Sequence, residues 1–307
     1  MNRRELLKNS SIWGVAAAGS APWIARGFAK PAPEVGDASE SAPATNRLVP
    51  PAQGSIPVAF LVGEDAVMID FTGPWEVFQD VTGTGRKNPF RLFTVAESRQ
   101  IVRVSGGMQI TPDYTFADAP PPKVIVIPAM GSVSEPVKNW IRSASRSTDV
   151  TMSVCDGSFI LASTGLLNGK PATAHHSGYV ELQRAYPGVQ VKRGVRWVES
   201  GNLASAGGLS SGIDLALHIV DRYFGRHVAE QTAYNMEYQG RGWLNPNSNA
   251  AFATISKGTA QHPVCVVCGM EANRSIKSEY RGTQYFFCGP QDKLKFDSTP
   301  QLYAYSG

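Results

Sequence analysis

The sequence predicts an α/β protein: a doubly wound, mostly parallel sheet, followed by a small cysteine-containing α+β module. Three observations carry this. From residue 55 to about 243, short apolar β-branched runs alternate with helical patterns. One such run, Val150 to Val154, stops at Cys155, and the small residues Gly157 and Ser158 lead into an apolar helical pattern. That is a strand, a sharp turn and a helix start with a thiol at the turn, the layout of a nucleophile elbow. From His262 onward the composition changes, with Cys265, Cys268 and Cys288 in a stretch of roughly 45 residues, too short to build a self-sufficient core without a staple or partner.

The elements follow in order. Residues 56–62 read as a buried first strand, and Gly73-Pro74 opens a helix with Pro74 in its first turn. Residues 90–96 read as a second strand, 108–111 as part of a hairpin, and 123–128 as an apolar parallel-type strand. A helix over 133–145 precedes the elbow strand, and the elbow helix spans 158–166. A turn and short strand then reach His175 and His176, followed by a helix over 177–186, a strand at 195–199 and the run 203–206. Gly207-Gly208 precede a long striped helix over 209–224, and a last helix runs over 226–238. Ligands of such sheets sit at the C-terminal ends of the strands, where Cys155 and the stretch after Ile127 both fall.

The ends differ from the middle. Residues 1–29 carry Arg3-Arg4 ahead of a weakly apolar run and a small-x-small site at Gly27-Phe28-Ala29, which resembles a twin-arginine export signal. Its apolar run is too short and too broken by Gly and Pro for a good spanning helix. Export to a periplasm through the twin-arginine translocase is therefore expected, with the mature chain beginning near Lys30. Residues 30–54, rich in Pro, Ala, Ser and Glu, read as a disordered spacer, and 244–261 as a polar linker. The formal charge of +4 belongs largely to the leader: residues 30–307 carry 25 basic and 24 acidic side chains. This balance gives no electrostatic footprint for nucleic acid.

Four stretches carry a family resemblance: Asp70-Phe71-Thr72-Gly73-Pro74-Trp75-Glu76-Val77-Phe78, Ser153-Val154-Cys155-Asp156-Gly157-Ser158, residues 166–175 ending in Ala174-His175, and Ala206-Gly207-Gly208-Leu209-Ser210-Ser211-Gly212-Ile213-Asp214. Over residues 55–243 the chain resembles the PfpI/ThiJ superfamily, a flavodoxin-like, class I glutamine amidotransferase-like fold, and within it the isonitrile hydratase-like branch. The resemblance implies a Cys155 nucleophile faced by the Asp70 carboxylate, a small-molecule substrate, no cofactor at that site, and a homodimer. A helix N-terminus behind Cys155 favours thiolate and offers N–H groups to an oxyanion, with the amides around Asp156 and Gly131 as donors. Asp156 stands where the branch usually has Thr, and Pro128-Ala129-Met130-Gly131 where it has a Gly-Gly loop. His175 matches a family histidine near the site, as a catalytic or packing group; Asp214 and His218, on a core helix, read as structural.

Residues 262–307 resemble a YHS domain, a small metal-binding module related to the TRASH pattern. Cys265-Val266-Val267-Cys268-Gly269-Met270 and Tyr280 through Cys288 carry the match. Asp292 replaces the usual fourth cysteine, four residues after Cys288. Three sulfurs at knuckle spacing suit zinc or Cu(I), with Asp292, a water or no group as the fourth ligand, since Cu(I) accepts three, and His262 as a spare. A disulfide within the tail is the alternative in an oxidising compartment. Two functions are thus expected from the sequence: a periplasmic cysteine-dependent hydratase or hydrolase with a metal-binding tail, or a non-catalytic metal-handling or redox and stress-response protein.

Overall fold

The structure, a computed structural model, describes residues 47–255, 258–259 and 261–304; the leader and the first part of the expected spacer lie outside these residues. In chain order the elements are β1 (Ile56–Leu61), α1 (Met68–Gln79), β2 (Phe90–Ala96), β3 (Val102–Arg103), β4 (Gln109–Ile110), β5 (Tyr114–Thr115), β6 (Val124–Ile127), α2 (Glu135–Ala144), β7 (Val150–Val154) and α3 (Gly157–Ser163). There follow β8 (Pro171–Ala172), α4 (Tyr179–Ala185), β9 (Gln190–Val191), β10 (Trp197–Ser200), β11 (Leu203–Ala206), α5 (Ser211–Phe224), α6 (Arg226–Asn235), β12 (Asn273–Tyr280), β13 (Thr283–Phe287), α7 (Pro290–Ser298) and α8 (Pro300–Tyr303).

A seven-stranded sheet runs β10-β11-β7-β6-β1-β2-β5, and every neighbouring pair is parallel except β10–β11. The strands are apolar on both faces because both faces are covered. Val58 and Phe60 of β1 join a core with α1, α5 and α6, while Ala59 and Leu61 join a second core with α2, α3 and α4. No helix among the described residues is long and apolar enough to cross a membrane.

One boundary differs from the sequence reading. The first helix starts at Met68, not at Gly73, so Pro74 lies inside it. Its start is held by the Met68 amide on Ser105 Oγ at 3.0 Å, a partner that only the fold supplies. Gly73 serves packing instead: a Cβ there would lie 2.9 Å from Ile213 Cγ1 of α5. Asp70 consequently sits in the first helical turn, fully buried, and is not a cap.

Polar anchors fix the chain beyond α6. Asp214 pairs with Arg196 and accepts the Trp243 amide at 3.0 Å. The Arg196 amide donates to Pro246 O at 2.5 Å, and Asn249 is buried. The polar stretch after residue 243 thus packs on the domain, at least as far as Asn249. His218 stacks on Trp197 and bonds Glu199 at 2.8 Å, a packing and pairing arrangement on the far end of α5.

The tail forms a small unit of its own: the β12–β13 hairpin with α7 and α8 around Phe287, Phe296, Tyr285 and Tyr303.

The tightest backbone approach lies at the elbow. A Cβ on Gly157 would fall 2.3 Å from Ile127 O and 2.8 Å from Pro128 O, and backbone cannot step aside as a side chain can. Gly157→Ala is therefore expected to destabilise by about 3 kcal/mol or more. Gly289→Ala, where nothing lies within 4 Å, should change stability by only a few tenths; urea unfolding of the two variants checks the contrast.

Candidate functional site

Cys155 has φ 58°, the left-handed conformation of a nucleophile elbow, and is 7% exposed. The strain is held from several sides. Its amide donates to Ala206 O at 3.2 Å and Gly207 O at 3.0 Å, which carries the β7–β11 ladder past the turn. Behind it, Ser158 Oγ bonds Thr173 O at 2.6 Å and Ser153 Oγ at 3.0 Å, and the Thr173 amide donates to Ser205 Oγ at 2.8 Å. These buried hydroxyls lock β7, α3 and β11 together.

Asp70 comes up from α1 against the thiol. One carboxyl oxygen accepts the Ala129 amide at 3.1 Å; the other, Oδ1, has no hydrogen-bond partner. Burial pushes the Asp70 pKa up to about 7, against the Ala129 amide, with the Asp156 charge adding to the rise and the neighbouring thiol opposing it. An unpartnered, buried oxygen on a carboxyl titrating near neutrality is equipped to take and return a proton.

The helix start that favours thiolate is outweighed at Cys155. Burial, then the charges of Asp70 and Asp156, push Cys155 up to about 12. The backbone N–H groups of Asp156 and Leu209 face the sulfur and favour its charged form, but they do not outweigh two buried carboxyls. Cys155 is therefore a protonated thiol at neutral pH, and the cradle acts when negative charge develops.

The donors also differ from expectation. Gly131 does not contribute, because its amide is committed to Glu64 O at 3.2 Å. Leu209 supplies the second donor, with φ 41° and its side chain 43% exposed. Sequence reasoning missed it, although Gly207-Gly208 between a strand and a helix was a usable signal for a turn that aims backbone N–H groups outward. The Asp156 carboxyl, whose Oδ1 lacks a partner, lies against the His175 amide and Gly178, where a Cβ would meet Oδ1 at 2.6 Å. Burial raises its pKa. His175 lies over Gly208, with Nδ1 2.7 Å from Ser177 Oγ, and burial lowers its pKa. It braces the Gly208-Leu209 turn.

The second site lies in the tail. One ligand atom from each of Cys265, Cys268, Cys288 and Asp292 lies within 4.8 Å of the others. Asp292 Oδ2 is 3.4 Å from Cys265 Sγ and 3.3 Å from Cys288 Sγ, and Cys268 Sγ is 3.4 Å from Cys288 Sγ. Tetrahedral zinc thiolates have edges on the order of 3.8 Å, so the four groups can hold a metal ion with small adjustments. All four cysteines of the chain are free. His262 is not in the cluster; it is 79% exposed beside Glu271.

Residues 57–222, more than half the chain, match the DJ-1/PfpI family. The chain belongs to the DJ-1/PfpI family. It is 31% identical to an isonitrile hydratase of Pseudomonas putida over 189 residues, 60% of this chain and 79% of that one. It is 28% identical to the HTH-type transcriptional regulator GbdR of Pseudomonas aeruginosa over 176 residues, 56% of this chain but only 48% of the regulator. A ThiJ/PfpI family protein of Pseudomonas syringae shares the fold with TM-score 0.54 at 24% identity, covering 68% of this chain and 84% of that one.

The Asp70 titration makes a stability prediction. Its folded pKa lies above the usual 3.8, so the folded chain holds the extra proton between these values. The contribution is fully present below about pH 4 and is lost as pH rises through about 7. Asp70→Asn, neutral throughout, should gain stability over the wild type progressively from about pH 4 to about pH 7, by up to about 4 kcal/mol, and so melt at increasingly higher temperature than the wild type over that range. Thermal melts of both proteins across that range give the comparison; equal pH dependence would contradict a buried, titrating Asp70.

Proposed function

We propose that this DJ-1/PfpI protein is a cysteine-dependent hydratase or hydrolase of the isonitrile hydratase type, exported to the periplasm and carrying a YHS-like metal-binding tail. The observation that carries the catalytic reading is the buried Asp70 carboxyl, with one unpartnered oxygen, beside a thiol faced by two backbone N–H groups. On an isonitrile the steps balance as follows. Asp70 takes the Cys155 proton as sulfur bonds to the terminal carbon, and returns it to that carbon, giving a thioimidate. Water adds to the same carbon, with Asp70 carrying one water proton to the nitrogen; the remaining hydroxyl proton goes to the departing sulfur through the same carboxyl. The carbon–sulfur bond then breaks, releasing an N-substituted formamide and the thiol. The Asp156 and Leu209 amides stabilise negative charge on the sulfur as it ionises and leaves.

A second reading, metal handling without turnover, is favoured by the tail cluster alone. There Cys265, Cys268, Cys288 and Asp292 would hold zinc or Cu(I), the carboxylate suiting zinc better. The net charge near zero outside the leader gives no support to nucleic acid binding.

Formamide release from a panel of small isonitriles tests the first reading. Cys155→Ala should abolish it, and Asp70→Asn should lower it by a factor of about 10² or more. The wild-type kcat/KM should rise with pH through about 7, as Asp70 becomes the free base, and Asp70→Asn should lack that limb. No turnover of isonitriles, nitriles or activated carbonyls, with about one metal per chain after purification, would favour the second reading.

A further inference from the structure

The two sites touch through one short segment. Residues 175–178 brace both groups that face the sulfur: the His175 ring lies over Gly208, next to Leu209, and Gly178 and the His175 amide lie against the Asp156 side chain. Ser177 closes the segment by bonding His175 Nδ1. The other side of the segment carries the tail. Gly269, in the turn between the knuckle cysteines and Met270, faces this segment: a Cβ there would lie 3.8 Å from Ser177 Cβ and 3.9 Å from His176 Nε2, so the turn is near the segment with room for one more atom between them. Val180 packs on the tail core of Phe287, Phe296 and Tyr303. A small cavity of about 40 Å³ is lined jointly by Tyr179, Val180 and Arg193 of the first domain and Val266, Leu302 and Tyr303 of the tail.

The tail has two states available to it. Its core is a handful of buried side chains, too few for a unit of this size to hold without a cross-link. A metal bound by four groups spread from Cys265 to Asp292 supplies that cross-link, because it binds the folded arrangement and not the unfolded one. The folded tail is also the one that presents Gly269 and the core that Val180 packs on.

We propose that metal occupancy of the Cys265-Cys268-Cys288-Asp292 cluster governs the tightness of the Cys155 cradle, through docking of the knuckle and tail core on residues 175–180. This rests on the metal-binding reading of the tail, but not on turnover. Metal loading seats the tail and holds the His175 brace; metal loss releases the seat, loosens the Asp156 and Leu209 amides, and opens Cys155 to solvent. By linkage, disrupting the seat weakens metal binding by the same factor by which seating favours it.

The experiment uses the full chain under reducing conditions, with and without one equivalent of zinc. Zinc binding is followed by chelator competition, Cys155 alkylation by iodoacetamide with mass-spectrometric mapping, and hydrogen exchange over 175–180 and 207–210. Zinc should slow Cys155 alkylation at least fivefold and protect both segments. In Cys265→Ser the zinc effect should vanish; protection of Cys155 persisting there would mean that zinc acts at Cys155 directly, and would overturn the proposal. Val180→Glu, with all four ligands intact, should still bind zinc, at least fivefold more weakly, and should lose the effect on Cys155. Stoichiometric zinc binding with unchanged Cys155 alkylation and exchange overturns the linkage alone. Failure to bind zinc or Cu(I) at all overturns the metal-binding reading and the linkage with it.

Discussion

The closeness of the α3 start to the end of β6 governs the rest of the site. Ile127 O and Pro128 O stand where a side chain on residue 157 would have to go. The chain can follow β7 directly with α3 only by reversing within Cys155 and Asp156, and Cys155 takes the left-handed conformation in doing so. The thiol is thereby lifted off the strand end toward Asp70 and under the Leu209 turn. The hydroxyl network of Ser153, Ser158 and Ser205 compensates the local strain with bonds inside the core.

A second constraint is electrostatic. Three acidic groups, Asp70, Asp156 and the Cys155 thiol, share a buried volume that does not favour three negative charges. The lowest cost is met by leaving the proton on sulfur and sharing a further one with Asp70. Two amides on the sulfur and one on Asp70 are fixed dipoles, so the charge can shift within the cluster without moving the backbone. That separates this arrangement from thiols which rest ionised beside a cation.

The sheet and elbow were legible because their signals are local: β-branched runs, a thiol at a strand end, small residues after it. Asp70 was legible as a site residue, since its flanking motif is contiguous. The boundary of α1 was not, because Ser105, which receives the Met68 amide, is distant in sequence. Gly131 was misassigned because it was carried over from the Gly-Gly loop of the family it resembles, while the fold presents Glu64 O to its amide. The state of the Cys155 thiol was half legible: the helix N-terminus and the acids Asp70 and Asp156 can be read from sequence, but the depth of burial, which weighs most against a thiolate, cannot. Cys265, Cys268, Cys288 and Asp292 were read as a set from the knuckle spacing of the cysteines and the resemblance to a YHS domain, and the structure brings them together.

The anchoring of the chain after α6 has a further consequence. Trp243 is pinned to Asp214 and Asn249 is buried, so the chain leaves the first domain from a fixed point a short distance before Cys265. The tail therefore searches only a small volume around its seat, at an effective concentration set by that short tether rather than by the abundance of the protein. A contact as modest as Val180 on an aromatic core suffices under those conditions, although the same surfaces on separate chains would scarcely associate.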